Sequence, residues 1–252
     1  MEQRTVLITQ ARTGSSRLPG KVLKTVDDKT LLQIHLERLK QCKNASTIIV
    51  ATTTEPEDEK IDLLAKKLGV KSYRGSEENV LDRFYQAAEP LSPKWVVRVT
   101  SDCPLLDPEL VDKVINFAQN HAPDYVSNTI DSNYPDGQDV EVFTFKALEK
   151  AWKEAKKTIE REHVTPYIRN NSDLKGEKLF KAQSYPSDLD YGNIRMTVDE
   201  QEDYILIKKL VRDLGTDKSW QEYTDYMINN DLTSINSQFQ RNEGYIKSLK
   251  KD

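Results

Sequence analysis

Cysteine and histidine are scarce in this chain of 252 residues, at two and three copies. Two cysteines, Cys42 and Cys103, cannot build a disulfide framework, and they read as reduced thiols of a cytoplasmic protein. Three histidines without H-x-x-x-H spacing, and without a Cys/His cluster, offer no zinc site. No run approaches the roughly 18 apolar residues that a membrane span requires. Met1-Glu2-Gln3-Arg4 leads into an apolar run too short for a secretory signal. A surplus of positive charge is missing as well: 37 Lys+Arg face 41 Asp+Glu, a formal net charge of −4. Binding to a nucleic-acid polymer draws on such a surplus, so no such partner is expected, although a local basic pocket is not excluded. G-x-S-x-G is absent, and with it the usual hydrolase elbow. No G-x-G-x-x-G, no repeat and no low-complexity linker occur.

What remains is a polar but globular composition, 37% hydrophobic and 31% charged, with 11 Tyr, 6 Phe and 3 Trp. At this length one large domain with an appendage is expected. Compact apolar runs at Thr5–Thr9, Thr47–Ala51, Val70–Tyr73 and Trp95–Val99 read as buried strands. Between them, Leu32/Leu36/Leu39, Ile61/Leu64/Leu68, Val80/Phe84/Ala87 and Leu110/Val114/Phe117 recur at helical spacing. Gly69 stops the second of these helices, and Pro108 opens the last. The pattern predicts an α/β fold with a mainly parallel sheet covered on both faces, whose ligands bind at the carboxyl ends of the strands. The second half is less regular. Strands are expected at 124–129, 139–143, 179–185 and 194–198, helices at 146–156 and 159–168, and a helical tail from about Glu202. The expected division is a domain over 1–215, with an inserted segment at about 128–187, and a helical extension over 216–252.

The loop after the first strand reads Q-A-R-T-G-S-S-R-L-P-G-K from Gln10 to Lys21. Small residues admit backbone N–H groups to a polyphosphate, and Arg12, Arg17 and Lys21 can neutralise it. It is not a Walker A loop, because Gly14 and Gly20 are one residue too far apart and Val22 replaces the magnesium-binding Ser/Thr. A solvated basic loop is the plain alternative. Two aspartates end predicted strands: Asp102 in V-T-S-D-C-P-L, and Asp199 in I-R-M-T-V-D-E-Q-E-D. Asp102 otherwise reads as a turn residue. Asp199 otherwise reads as a helix N-cap, with Glu202 completing a capping box. His35 falls on an apolar stripe and reads as packed core, and His121 ends a helix where a cation suits the dipole.

The string R-x-G-S-x-R-L-P-G-K resembles the signature of sugar-activating nucleotidylyltransferases, above all the cytidylyltransferases that make CMP-linked sugar acids. S-D-C-P-L resembles that family's metal-binding G-D-x-P-L, with Ser101 in place of glycine, and D-E-Q-E-D resembles its D-x-x-E-D. P-D-G-Q-D-V-E-V-F, R-E-H-V-T-P-Y-I and R-N-E-G-Y narrow the resemblance to spore-coat polysaccharide biosynthesis proteins, over nearly the whole chain. The resemblance implies a Rossmann-like fold of the nucleotide-diphospho-sugar transferase kind. It implies CTP bound by Gln10, Ala11, Arg12, Gly14, Ser16, Lys21, Arg74, Thr100 and Ser101, with Arg12, Lys21 and Asp102 catalytic. Mg²⁺ would be held by Asp102 and Asp199, and a sugar or sugar-acid acceptor by Asp139, Glu141 and His163. Pyrophosphate would leave, and a homodimer would form through the inserted segment. Two other readings stay open: a glycosyltransferase using Asp188-Leu189-Asp190 as its D-x-D motif, and a catalytically inactive nucleotide-binding protein.

Overall fold

The computed structural model describes residues 4–241 and 243–249. The first three residues, Asn242 of the R-N-E-G-Y string and the last three residues of the expected extension lie outside them. β1 (Thr5–Gln10) leads through the basic loop to a two-residue hairpin, β2 (Thr25–Val26) and β3 (Lys29–Thr30). There follow α1 (Leu31–Leu39), β4 (Thr47–Thr53), α2 (Glu59–Lys67), β5 (Lys71–Gly75), α3 (Val80–Ala88), β6 (Trp95–Thr100) and α4 (Pro108–His121). The second half runs β7 (Tyr125–Ser127), β8 (Glu141–Thr144), α5 (Phe145–Glu154), α6 (Thr158–His163), α7 (Pro166–Asn170) and β9 (Ala182–Ser184). It closes with α8 (Gln201–Leu214), α9 (Trp220–Asn229) and α10 (Glu243–Leu249).

Among the described residues the main sheet has seven strands in the order β5-β4-β1-β6-β8-β7-β9. β5, β4, β1 and β6 are mutually parallel, whereas β8 runs antiparallel to both β6 and β7. From β1 the chain builds outward through β4 to β5, then returns to the far side of β1 with β6. The connections therefore diverge between β1 and β6, which opens a crevice at their carboxyl ends. Gln10 pairs there with both Ala51 and Thr100, and the Ser101 N–H donates to the Gln10 carbonyl at 3.2 Å.

Side chains of β1 alternate between two cores, as strand geometry requires. Leu7 packs with Leu32, Leu36, Ile61, Leu110 and Val114 from α1, α2 and α4. Val6 and Ile8 pack on the other face with Phe84, Leu148, Ala151 and Ile168 from α3, α5 and α7. A third core joins Leu18 and Ile34 to Leu206, Ile207 and Leu210 of α8 and to Tyr223 and Met227 of α9. The three buried aliphatics of α8 contribute about 1.5–3 kcal/mol each by leaving water. α9 is tied to the sheet as well: Asp107 caps α4 through Glu109 N and Leu110 N, while its second oxygen accepts from Trp220 N at 2.9 Å.

Three expectations are corrected. The run 194–198 is not a sheet strand; it makes one isolated bridge, Asp136 with Arg195. It crosses the carboxyl edge of the sheet instead, with Val198 N donating to the Asp102 carbonyl at 2.7 Å. Gly137 permits that crossing: with φ +110, a Cβ there would lie 2.6 Å from the Met196 carbonyl carbon. The helix expected over 159–168 is two, because Val164 takes a φ of 70 and Pro166 then restarts the chain as α7. Glu200, not Asp199, is the N-cap of α8, and Asp203, not Glu202, accepts from the N–H groups of Asp199 and Glu200.

Candidate active site

A cavity of about 810 Å³ opens at the carboxyl ends of β1 and β6, within the size range of ligand pockets. Its first wall is the basic loop, with Gln10, Ala11, Arg12, Gly14, Ser16 and Lys21 all lining it. Thr100 ends β6, Ser101 and Asp102 follow in the turn after it, and Asp199 arrives on the crossing segment. Glu77, Val80 and Arg83 close one flank, and Thr158, Glu162, His163, Gly244 and Ser248 the other.

Lys21 is the centre of the electrostatics. Its ammonium donates to Asp102 Oδ2 at 2.9 Å and to Asp199 Oδ1 at 2.7 Å. Burial alone would lower the Lys21 pKa, but the two carboxylates outweigh it and hold the ammonium above its ordinary value. Burial would likewise raise Asp102, yet the Lys21 charge and hydrogen bonds from Lys21 and Thr100 hold its carboxyl well below the usual range. Asp199 is fixed from behind. Arg195 Nη2 reaches Asp199 Oδ2 at 3.3 Å, Arg17 pairs with the same oxygen at 2.9 Å, and Arg195 is itself gripped by Asp203 and Asp136. Asp203, fully buried, also accepts from Asn236 Nδ2 at 2.8 Å.

Two hard carboxylates that already converge on one cation suit a divalent ion that takes its remaining ligands from phosphate and water. Among the described residues no group of three or more His, Cys, Asp and Glu is placed to hold a metal, so no closed all-protein site competes with this pair. Arg12 pairs with Glu77 at 2.9 Å, both side chains more than two-fifths exposed, so its guanidinium can be drawn to a ligand at low cost.

The structure does not bring every sequence candidate to the cavity. Arg74 turns away, donating to the carbonyls of Thr53 and Glu55 at 2.9 Å each. Glu141 is spent in a buried knot: it pairs with Arg98 and accepts from Tyr125 Oη and Thr165 Oγ1 at 2.6 Å each. Asp139 pairs with Arg241. Of the three acceptor candidates, His163 alone lines the cavity, with its Nε2 at 3.2 Å from Ser248 Oγ. Alternating acidic and apolar residues announced a strand at Glu141, but on this strand the carboxylate faces the half-buried Arg98.

Sequence reading missed Arg83. It is 2% exposed, lines the cavity, donates from Nη1 to the Ala51 carbonyl at 3.3 Å, and its Nε has no hydrogen-bond partner among the described residues. Burial pushes its pKa down to about 10, and the nearby Arg12 adds to that. The signal was present, because Arg83 occupies an apolar-stripe position between Val80, Phe84 and Ala87, where a cation needs a reason to be.

Comparison with known proteins matches this architecture. The cytidylyltransferase family model covers residues 6–240. An uncharacterized protein of Methanocaldococcus jannaschii is 48% identical over 81% of this chain and 81% of its own. The spore coat polysaccharide biosynthesis protein SpsF of Bacillus subtilis is 36% identical over 83% of this chain and 87% of its own. Among solved structures, a cytidylyltransferase from Leptospira borgpetersenii superposes with a TM-score of 0.85 at 31% identity, covering 96% of this chain and all (100%) of that one. A CMP:2-keto-3-deoxy-manno-octonic acid synthetase shares the fold, with a TM-score of 0.63 at 16% identity over 83% of this chain and 99% of its own. With nearly the whole chain matched and the cavity at the expected strand ends, this protein is a nucleotidyltransferase belonging to the cytidylyltransferase family.

Proposed function

We propose that this enzyme transfers the cytidylyl group of CTP to a hydroxyl of a sugar or sugar acid, releasing pyrophosphate, for a surface glycan. The observation that carries the reading is the convergence of Lys21, Asp102 and Asp199 beneath the basic loop. Nucleotidyl transfer asks the protein for in-line positioning and charge neutralisation more than for covalent chemistry. Arg12 and Lys21 would grip the triphosphate, with the backbone of Gly14 and Ser16 alongside. Lys21 would meet the charge that grows on departing pyrophosphate. Gln10, Ala11, Thr100 and Ser101 would face the nucleoside, and His163 the acceptor. Asp102 and Asp199 would hold Mg²⁺, which supplies polarisation of phosphate oxygens and a lower pKa for a nearby hydroxyl. A relative named for spore coat polysaccharide biosynthesis, and a 3-deoxy-manno-octulosonate cytidylyltransferase of Solibacter usitatus at 29% identity over 56% of this chain, support the glycan and sugar-acid parts.

The glycosyltransferase reading loses its motif. Asp188-Leu189-Asp190 lies on an exposed loop with Leu189 55% exposed, and none of the three lines the cavity. A cytoplasmic homodimer is part of the proposal; among the described residues no helix is long and apolar enough to cross a membrane. The test is pyrophosphate release from CTP and Mg²⁺ against a panel of sugars and sugar acids, with the other three nucleoside triphosphates as controls. Release that needs both CTP and one acceptor upholds the reading. Turnover only from a preformed nucleotide sugar overturns it.

A further inference from the structure

We propose that α10 is a strap across the acceptor flank of the cavity, latched by Arg17 and released when phosphates claim that guanidinium, so that nucleotide enters before acceptor. The inference rests on the triphosphate reading given above. Arg17 leaves the basic loop and divides one guanidinium among three carboxylates: Asp199 at 2.9 Å, Glu200 at 3.1 Å and Glu243 of α10 at 3.5 Å. Glu243 holds the longest of these contacts and is the first to yield to a stronger anion. A polyphosphate is such an anion, because arginine binds phosphate oxygens through charge-assisted, often bidentate, hydrogen bonds.

The other end of the strap closes the cavity. Ser248 is 3% exposed and donates to Glu162 Oε2 at 2.9 Å, beside His163. The Tyr245 ring stands edge-on to His163 with 5.2 Å between centroids. Gly244 and Ser248 thereby line the same flank as His163. α10 spans only 7 residues, well short of the roughly 12–15 that an isolated helix needs in water. Its Ile246 and Leu249 are 43% and 53% exposed, so little apolar burial holds it down. A short helix held by an ion pair and a buried hydroxyl belongs to the low-stability end of a fold, from which gates are drawn.

Hydrogen exchange on the full chain tests the strap, with magnesium tripolyphosphate as the probe. Exchange in 243–249 should quicken severalfold while exchange in 12–21 slows. Glu243→Gln should exchange at the fast rate without ligand and gain nothing further from tripolyphosphate. A strap slowed by tripolyphosphate, or Glu243→Gln exchanging like the wild type, overturns the proposal. CTP in the same experiment separates the two readings. Opening by tripolyphosphate but not by CTP upholds the strap and counts against the nucleotide assignment. Protection of 12–21 by CTP with the strap still closed counts against the strap alone.

Discussion

The ammonium of Lys21 lies 2.7 Å from the carboxylate of Asp199, and it holds Asp102 at 2.9 Å in the same grip. Two negative groups share one positive group, so substitutions at Asp102 and at Lys21 have different consequences. Asp102→Asn leaves Lys21 balanced by Asp199, and its melting temperature should stay near that of the wild type. Pyrophosphate release should nevertheless fall by about 10²–10³-fold, the usual cost of removing one electrostatic stabiliser. Near-wild-type turnover across a magnesium titration would rule out the metal role of Asp102.

Lys21→Met should behave in the opposite way. It leaves Asp102 and Asp199 facing each other without their cation, which costs stability as well as turnover. Mg²⁺ alone should then raise the melting temperature of Lys21→Met more than that of the wild type, since a ligand that binds only the folded state stabilises it. An equal shift in both proteins would mean that the carboxylate pair does not take the ion.

Arg83 yields a separation between binding and folding. A nearly buried guanidinium with an unpartnered Nε is a cost to the empty protein. Arg83→Met should therefore leave the ligand-free melting temperature unchanged or raise it. Affinity for CTP should fall by about 10–100-fold, the worth of one charge-assisted hydrogen bond at about 1.5–3 kcal/mol. Calorimetric titration with CTP and Mg²⁺ measures this directly, and unchanged affinity would assign Arg83 to packing.

Glu141→Gln distinguishes a structural carboxylate from an acceptor ligand. Glu141 and Arg98 are 7% and 14% exposed, and Arg98 also donates from Nε to Gln10 Oε1 at 3.2 Å. Removing the charge strands that arginine, at a cost of about 3–5 kcal/mol in a urea titration. An unchanged urea midpoint together with a raised KM for acceptor would restore the acceptor reading.

How far the sequence spoke follows from the kind of fact required. The parallel half was legible because buried strands such as Thr47–Thr53 and helices such as α4 carry their periods locally. Arg12, Lys21 and Asp102 were legible because a strand end fixes where the next residues sit. Asp199 reached the site by a different route from the one its apolar run implied: 194–198 looks like a strand, but its contacts are to Asp136 and Asp102 at the sheet edge. The partners of Arg74, Asp139 and Glu141 were not legible at all. Whether a charged residue meets the cavity, a carbonyl or a distant arginine depends on tertiary packing that no spacing encodes.

His35 gives the protein an acid-sensitive core. It is fully buried; its Nδ1 lies 2.9 Å from the Cys103 carbonyl and its Nε2 2.9 Å from Thr9 Oγ1. A carbonyl only accepts, so Nδ1 carries the proton and Nε2 accepts from Thr9 in the neutral ring. Burial, the largest cause, brings the pKa down from 6.5 to about 4. Between those values the unfolded chain binds a proton that the folded chain refuses, so stability rises with pH across that window. It is fully present above the unfolded pKa of 6.5, is lost as pH falls below it, and levels off beneath about 4. The ceiling on this contribution is roughly 3 kcal/mol, at 1.36 kcal/mol per pKa unit. His35→Asn keeps a donor toward Cys103 but cannot titrate, so it should be less stable than the wild type at pH 7.5. The gap between their urea midpoints should narrow as the pH approaches 4.5. A gap independent of pH would mean that His35 has the same pKa folded and unfolded, so that its burial carries no proton linkage.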